Sequence, residues 1–270
     1  MTPSSPVPFI TITSLVSTKK NGRAFWPDRL SAGVTDMSLI PIPYRIVALV
    51  QERNRLFEYS PERFSDIIRD VGFSCDRCAK CCTRAFNGHV FLLDRDVDAI
   101  RKTDPSSLEP APDPEFCDQN GMFYVSGYAL RAKDDPEGSC WFLAGNLCRI
   151  YDRRPSICRV YPYMLHREPD EQGRLDWRQI SGLDLHGEYH TGIPEDERVS
   201  IAQQTIEYEN AVLSHEISFL EFIREYFMKH GLRHVQKVYD DRMRRFLNGE
   251  PITVMVYHAG KLEEHTCRIP

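Results

Sequence analysis

Eight of the nine cysteines lie between Cys75 and Cys158, and four of them fall in one run, Cys75-Asp76-Arg77-Cys78-Ala79-Lys80-Cys81-Cys82. Thiols at this density are kept for metal and redox chemistry more often than for packing. Cys75, Cys78 and Cys81 follow a C-x2-C-x2-C spacing, which lets a tight loop bring several sulfurs to one side. Bacterial ferredoxin runs begin this way, but their fourth cysteine comes three residues later and precedes a proline. Here the next cysteine is the adjacent Cys82, so a fourth ligand comes from Cys82 or from the distant Cys140, Cys148 or Cys158.

Neighbouring side chains on a non-helical backbone point in different directions. Cys81 and Cys82 therefore serve two sites, or one of them is a bystander. The seven candidates Cys75, Cys78, Cys81, Cys82, Cys140, Cys148 and Cys158 also exceed the four ligands of one zinc or one cubane. A dinuclear site, two sites, or one site with spare thiols would each absorb the excess. Structural zinc favours paired C-x2-C knuckles, and Cys140-x7-Cys148-x9-Cys158 supplies no second knuckle. His89 could contribute a nitrogen, although an ordinary surface or core-edge histidine is the expected role. Spacing leans toward an iron–sulfur cluster, 4Fe–4S by ligand type, with a zinc or iron ion as the alternative.

Arg149, Arg153, Arg154 and Arg159 surround the second cysteine group, with Asp152 the only acid among them. Such charge lowers thiol pKa and offsets a thiolate-ligated centre, and it could equally contact an anionic substrate or form a solvated turn.

The elements that must position these residues are short. Helical periodicity runs from Ile42 to about Tyr59 and, after Ser60-Pro61, up to Gly72. Val90–Leu93 and Met122–Ala132 are expected strands, and a short helix is expected from Asp94. Residues 103–120 read as a proline-rich loop, and Cys140–Tyr151 as a hairpin turning at Ala144-Gly145-Asn146. A turn follows at Asp152–Cys158, and residues 168–191 are polar and irregular. The last third is helical up to Gly231 and again over 233–247, with Phe219, Ile223 and Tyr226 expected to pack on the cysteine region. Ile252–His258 is a closing strand.

With 270 residues, 41% hydrophobic and 27% charged, and a formal charge of -5, the composition is that of an ordinary soluble domain and no basic nucleic-acid surface is indicated. No run is long and apolar enough for a membrane helix. Val7–Val16 has no basic residue before it and no evident cleavage site, so a cytoplasmic location with reduced thiols is expected. Residues 1–36 read as a disordered tail, with Met37 an alternative start, and residues 37–270 as a single cysteine-cluster domain. The expected fold class is α+β: short strands and loops around a cysteine-ligated metal site, with flanking N- and C-terminal helices.

The string Cys75-x2-Cys78-x2-Cys81-Cys82, Cys140-Trp141-Phe142-Leu143, Cys148-Arg149-Ile150-Tyr151, Arg154-Pro155 and Cys158-Arg159-Val160-Tyr161-Pro162 resembles the YkgJ-type cysteine-cluster family of zinc- or iron-chelating domains. The resemblance covers about residues 70–165. It implies the same seven cysteines as metal ligands and leaves Cys117 and Cys267 as incidental thiols. Family members often carry a further cysteine after the Tyr-Pro segment, and residues 182–190 here have none. The family includes flagellin lysine N-methylases, which implies possible methyl transfer to a protein substrate, approached near Tyr161, Tyr163 and the arginines. The alternative is a non-catalytic electron-transfer or metal-handling protein with a redox partner.

Other catalytic motifs are missing. Cys78-x3-Cys82 begins a radical S-adenosylmethionine motif, but Ala85 stands where its third cysteine belongs. No dinucleotide glycine motif, phosphate loop or serine nucleophile elbow occurs.

Overall fold

The computed structural model describes residues 40–163, 167–169, 175–177 and 184–268. The expectations for residues 1–36 and for a start at Met37 lie outside the described residues. Helices and several small sheets make the fold α+β.

Helices α1 (Ile42–Glu58) and α2 (Pro61–Val71) meet at Ser60, whose hydroxyl accepts the Arg63 amide at 3.3 Å while Pro61 fills the first turn. Gly72 ends α2 in the left-handed region at φ 48. The cysteine run carries only a 3-10 turn, Lys80–Cys82, before the single turn α3 (Arg84–Asn87). Strand β1 (Phe91–Leu92) leads into α4 (Asp94–Thr103), which is capped by Leu93 rather than Asp94.

The proline-rich stretch holds two strands, β2 (Leu108–Pro110) and β3 (Phe116–Cys117), where a loop was expected. Both are sheet edges, where a proline removes no needed ladder bond. The strand expected over Met122–Ala132 is two, β4 (Phe123–Val125) and β5 (Tyr128–Leu130), in different sheets. The chain leaves one sheet for the other at Ser126-Gly127, where the Gly127 carbonyl accepts the Ala111 amide at 2.9 Å. Next come β6 (Leu143–Ala144), β7 (Leu147–Cys148), α5 (Ser156–Val160), β8 (Arg167–Pro169), β9 (Leu175–Trp177), α6 (Glu195–His230), α7 (Gln236–Leu247), β10 (Ile252–His258) and β11 (Lys261–Cys267). The last strand was not expected from sequence, because its charged Lys-Leu-Glu-Glu-His alternation reads as solvent-facing chain.

The chain divides into two compact units. The first contains Arg53–Val90 and Ala132–Ala211, and hence the β6–β7 hairpin and the β8–β9 pair. Among the described residues the second contains 40–52, Phe91–Arg131 and 212–268, and hence the sheets β1-β5-β2 and β11-β10-β4-β3. In that second unit β10 runs parallel to β4 and antiparallel to β11. Phe123, Val125, Val254 and Val256 are fully buried in its sheet. Phe219 of α6 packs on Tyr257 at 5.6 Å and Phe116 at 6.1 Å, and Phe227 packs on Tyr124 at 5.0 Å. Phe219 and Ile223 are core residues as expected, and the rings against Phe219 and Tyr226 (Phe116, Tyr257, Tyr124) belong to this unit. The β10–β11 hairpin is tied to α4 through His258, whose Nδ1 lies 3.0 Å from Asp94 and whose Nε2 lies 3.2 Å from Asp98.

Candidate metal centre

All seven candidate cysteines belong to the first unit, whereas Cys117 and Cys267 belong to the second. Backbone pairing brings the distant ones together. The Cys140 amide donates to the Cys82 carbonyl at 2.7 Å, and Thr83 bridges Ser139, so the segment before β6 lies along the end of the cysteine run. The Leu143 amide donates to the Cys140 carbonyl at 2.9 Å, and Leu143 faces Cys148 across the β6–β7 hairpin. Gly145, at φ 57, makes that hairpin's reversal possible. Cys158 then sits on α5, whose Ile157 and Val160 are buried.

Cys82, Cys140, Cys148 and Cys158 are close enough to disfavour one another's ionisation. Burial pushes Cys140 up to about 11 and raises Cys148 and Cys158 as well. For Cys82 the Cys81 sulfur, 4.0 Å away, comes first and burial second, and its thiol too is driven up. Arg154 opposes the rise at Cys82, Cys148 and Cys158. A reactive cysteine nucleophile needs a lowered pKa. These four have the opposite, which a bound cation would reverse by taking the thiolates as ligands.

The other three cysteines stay on the loop. Arg77 and Ala79 adopt φ 61 and φ 63, which curls the C-x2-C-x2-C segment, and Asp76 accepts the Cys78 amide at 2.9 Å. Cys75 is exposed, while Cys78 and Cys81 are partly buried. Cys78 and Cys81 face Tyr189, whose hydroxyl is disfavoured from ionising by burial first, then by Asp184, Tyr163 and these two thiols. The adjacent Cys81 and Cys82 sulfurs lie 4.0 Å apart, with Cys81 also near Tyr189 and Cys82 also near Cys140, Cys148 and Cys158. Among the described residues no three His, Cys, Asp or Glu side chains stand in an arrangement that would hold a metal ion.

An aromatic wall that sequence reasoning missed stands behind the loop. His186 is buried against Phe86 at 4.8 Å, Tyr161 at 5.4 Å and Phe73 at 5.6 Å, with its Nε2 2.7 Å from the Tyr161 hydroxyl. Tyr163 is buried and its hydroxyl accepts the Phe73 amide at 2.8 Å. Tyr161 and Tyr163, read from sequence as a substrate approach, are therefore engaged in holding the wall. Only the Tyr-Pro string signalled it, since His186 and Tyr189 stand alone in polar sequence. His89 is packed inside, its Nδ1 buried. Burial, and then Arg84, push it down to about 3, which keeps it neutral. Cys117 is fully buried, pushed up to about 12 by its burial, and its amide donates to His234 Nδ1 at 3.0 Å.

The order and convergence of these cysteines decide the comparison with known families. Residues 74–180 match the CxxCxxCC family. That family carries the description "Putative zinc- or iron-chelating domain". The CxxCxxCC match begins one residue before Cys75 and takes in all seven candidate cysteines, which makes metal binding the activity supported for this part of the chain. Searches of curated proteins and of solved structures each found no match. No helix among the described residues is long and apolar enough to cross a membrane.

Proposed function

We propose that the protein carries a thiolate-ligated metal centre at Cys82, Cys140, Cys148 and Cys158, that the group held there is a 4Fe–4S cluster, and that it serves in electron transfer. The carrying observation is the convergence of four thiols from three separate chain segments, joined by backbone hydrogen bonds from Cys82 to Cys140 and on to Leu143. Four soft sulfur donors without a hard oxygen partner suit a cubane or zinc. The thiols must turn inward about their Cα–Cβ bonds to ligate, since no three of them stand at ligating geometry among the described residues. A bound cluster would supply one-electron chemistry. This chain's residues would do the rest: Phe142, Ile150 and Ile157 are buried apolar side chains of the same segment that limit water, and Arg154 offsets thiolate charge.

Cys75, Cys78 and Cys81 form a second, more open set, and the C-x2-C-x2-C spacing is what favours iron–sulfur over zinc. Methyl transfer to a protein lysine rests on the family resemblance alone.

Anaerobic purification followed by iron, zinc and acid-labile sulfide analysis tests the reading. About four iron and four sulfide per chain, with visible absorbance that bleaches reversibly on reduction, is the expected result. One zinc and no sulfide would replace the cluster with a zinc site. Cys82→Ser and Cys158→Ser are each expected to lose the metal, while Cys117→Ser and Cys267→Ser keep it. Retention in Cys158→Ser would refute the ligand set.

A further inference from the structure

The four arginines beside the metal centre differ in exposure. Arg154 is partly buried, lies 3.9 Å over the Tyr151 ring and acts on the thiols of Cys82, Cys148 and Cys158, with Arg149 also acting on Cys148. Arg149, Arg153 and Arg159 are exposed. None of the four is in an ion pair with a carboxylate among the described residues, in contrast to exposed arginines elsewhere. Arg69 pairs with Asp66 at 2.8 Å and Asp70 at 3.1 Å, and Arg245 pairs with Asp241 at 3.1 Å. Two of the outward arginines are also held in place by backbone carbonyls: Arg149 donates to Trp141 at 3.1 Å and Arg159 donates to Arg154 at 2.8 Å. The same segment carries two large apolar side chains in solvent, Leu147 at 56% and Tyr151 at 50% exposure.

We infer that this face, residues 147–159, docks an acidic protein surface and thereby brings a protein partner against the metal centre. The inference rests on the metal centre proposed above, because Cys148 and Cys158 belong to the same segment. Arginines without an ion pair among the described residues, two of them held by backbone carbonyls, beside an exposed tyrosine and leucine have the composition of an interface anchor rather than of a solvated turn. A positive face on a chain of net charge -5 selects a partner by charge complementarity. A protein fits better than a nucleic acid. The patch is short, contains Asp152 and includes exposed apolar side chains, whereas the acidic remainder of the chain would repel an extended polyanion.

The test uses the full-length metal-loaded protein and a fluorescent peptide of glutamate interspersed with leucine, compared with the same peptide carrying lysine for glutamate and with a single-stranded oligonucleotide. The acidic peptide is expected to bind, more weakly as salt rises, and the Arg153→Glu/Arg159→Glu variant is expected to lose about ten-fold or more in affinity with unchanged metal content. The milder Arg153→Gln variant, should the double variant lose metal, is expected to weaken binding with metal retained. Equal affinity in either metal-loaded variant, no binding of the acidic peptide, or tighter binding of the oligonucleotide would overturn the inference. Protein that binds the peptide while holding no metal would refute the centre and leave the docking face standing; protein that holds metal without binding refutes docking alone.

Discussion

His89 stands seven residues beyond Cys82 with its Nδ1 buried and without a hydrogen-bond partner among the described residues. Its pKa falls from an ordinary 6.5 to about 3 because burial, and then Arg84, disfavour the imidazolium. The unfolded chain binds a proton there below about pH 6.5 and the folded chain does not, so this stability is complete above 6.5 and drains away as pH falls toward 3. Urea titrations at pH 7.5 and 5 should show His89→Phe losing about 1–2 kcal/mol less than the parent over that interval. Equal losses would mean that the imidazole titrates freely. Arg154→Gln should weaken metal affinity about ten-fold without removing a ligand, as measured by chelator competition. The metal-chelating character of the cysteine-rich stretch was legible from its spacing, since thiols at such density need no tertiary information. What could not be read was that Cys82 pairs through its backbone with Cys140. That pairing is the Cys140 amide meeting the Cys82 carbonyl, a long-range bond with no local signature.

At the scale of elements, the aromatic wall depends on one glycine. Gly187, at φ 68, places its missing Cβ 2.3 Å from the Phe73 ring and 3.0 Å from the Ser74 carbonyl. Gly187→Ala should cost about 2–3 kcal/mol in equilibrium unfolding, from left-handed strain and the collision together. A loss below about half a kcal/mol would show that the wall yields easily. In the second unit, His258→Leu leaves Asp94 and Asp98 without their shared partner and should cost about 2–4 kcal/mol, because hydrogen bonds to charged groups are the stronger kind. The helices were readable because Ser60-Pro61, Gly72 and Gly231 punctuate clear 3.6-residue periods. The strands were less so: β2, β3 and β5 hold two or three residues each, too few for alternation to register, and the switch at Ser126-Gly127 is set by Phe91 and Ala111 from elsewhere in the chain.

At the scale of the molecule, binding energy for the metal is folding energy for the unit that holds it. Among the described residues the strands of the first unit are short, two residues each in the β6–β7 hairpin and three each in the β8–β9 pair. Removing the metal with a chelator should lower the thermal midpoint by about 5–10 °C, and hydrogen exchange should rise over residues 73–90 and 132–163 while β10 and β4 keep their protection. Unchanged exchange in those segments would place the metal elsewhere. The helical and strand content that makes the fold α+β was foreseeable from periodicity. The interleaving of two units was not, because Val90 and Ala132, where the chain leaves and re-enters the first unit, carry no linker composition.

That interleaving fixes an order of events during synthesis. The C-x2-C-x2-C thiols emerge from the ribosome first, and residues 91–131, which belong to the other unit, must follow before Cys140, Cys148 and Cys158 exist. For that interval the nascent chain displays four thiols without their later partners. Assembly of the proposed four-sulfur centre can therefore begin only after Cys158 is made, and until then the early thiols stand without those later partners.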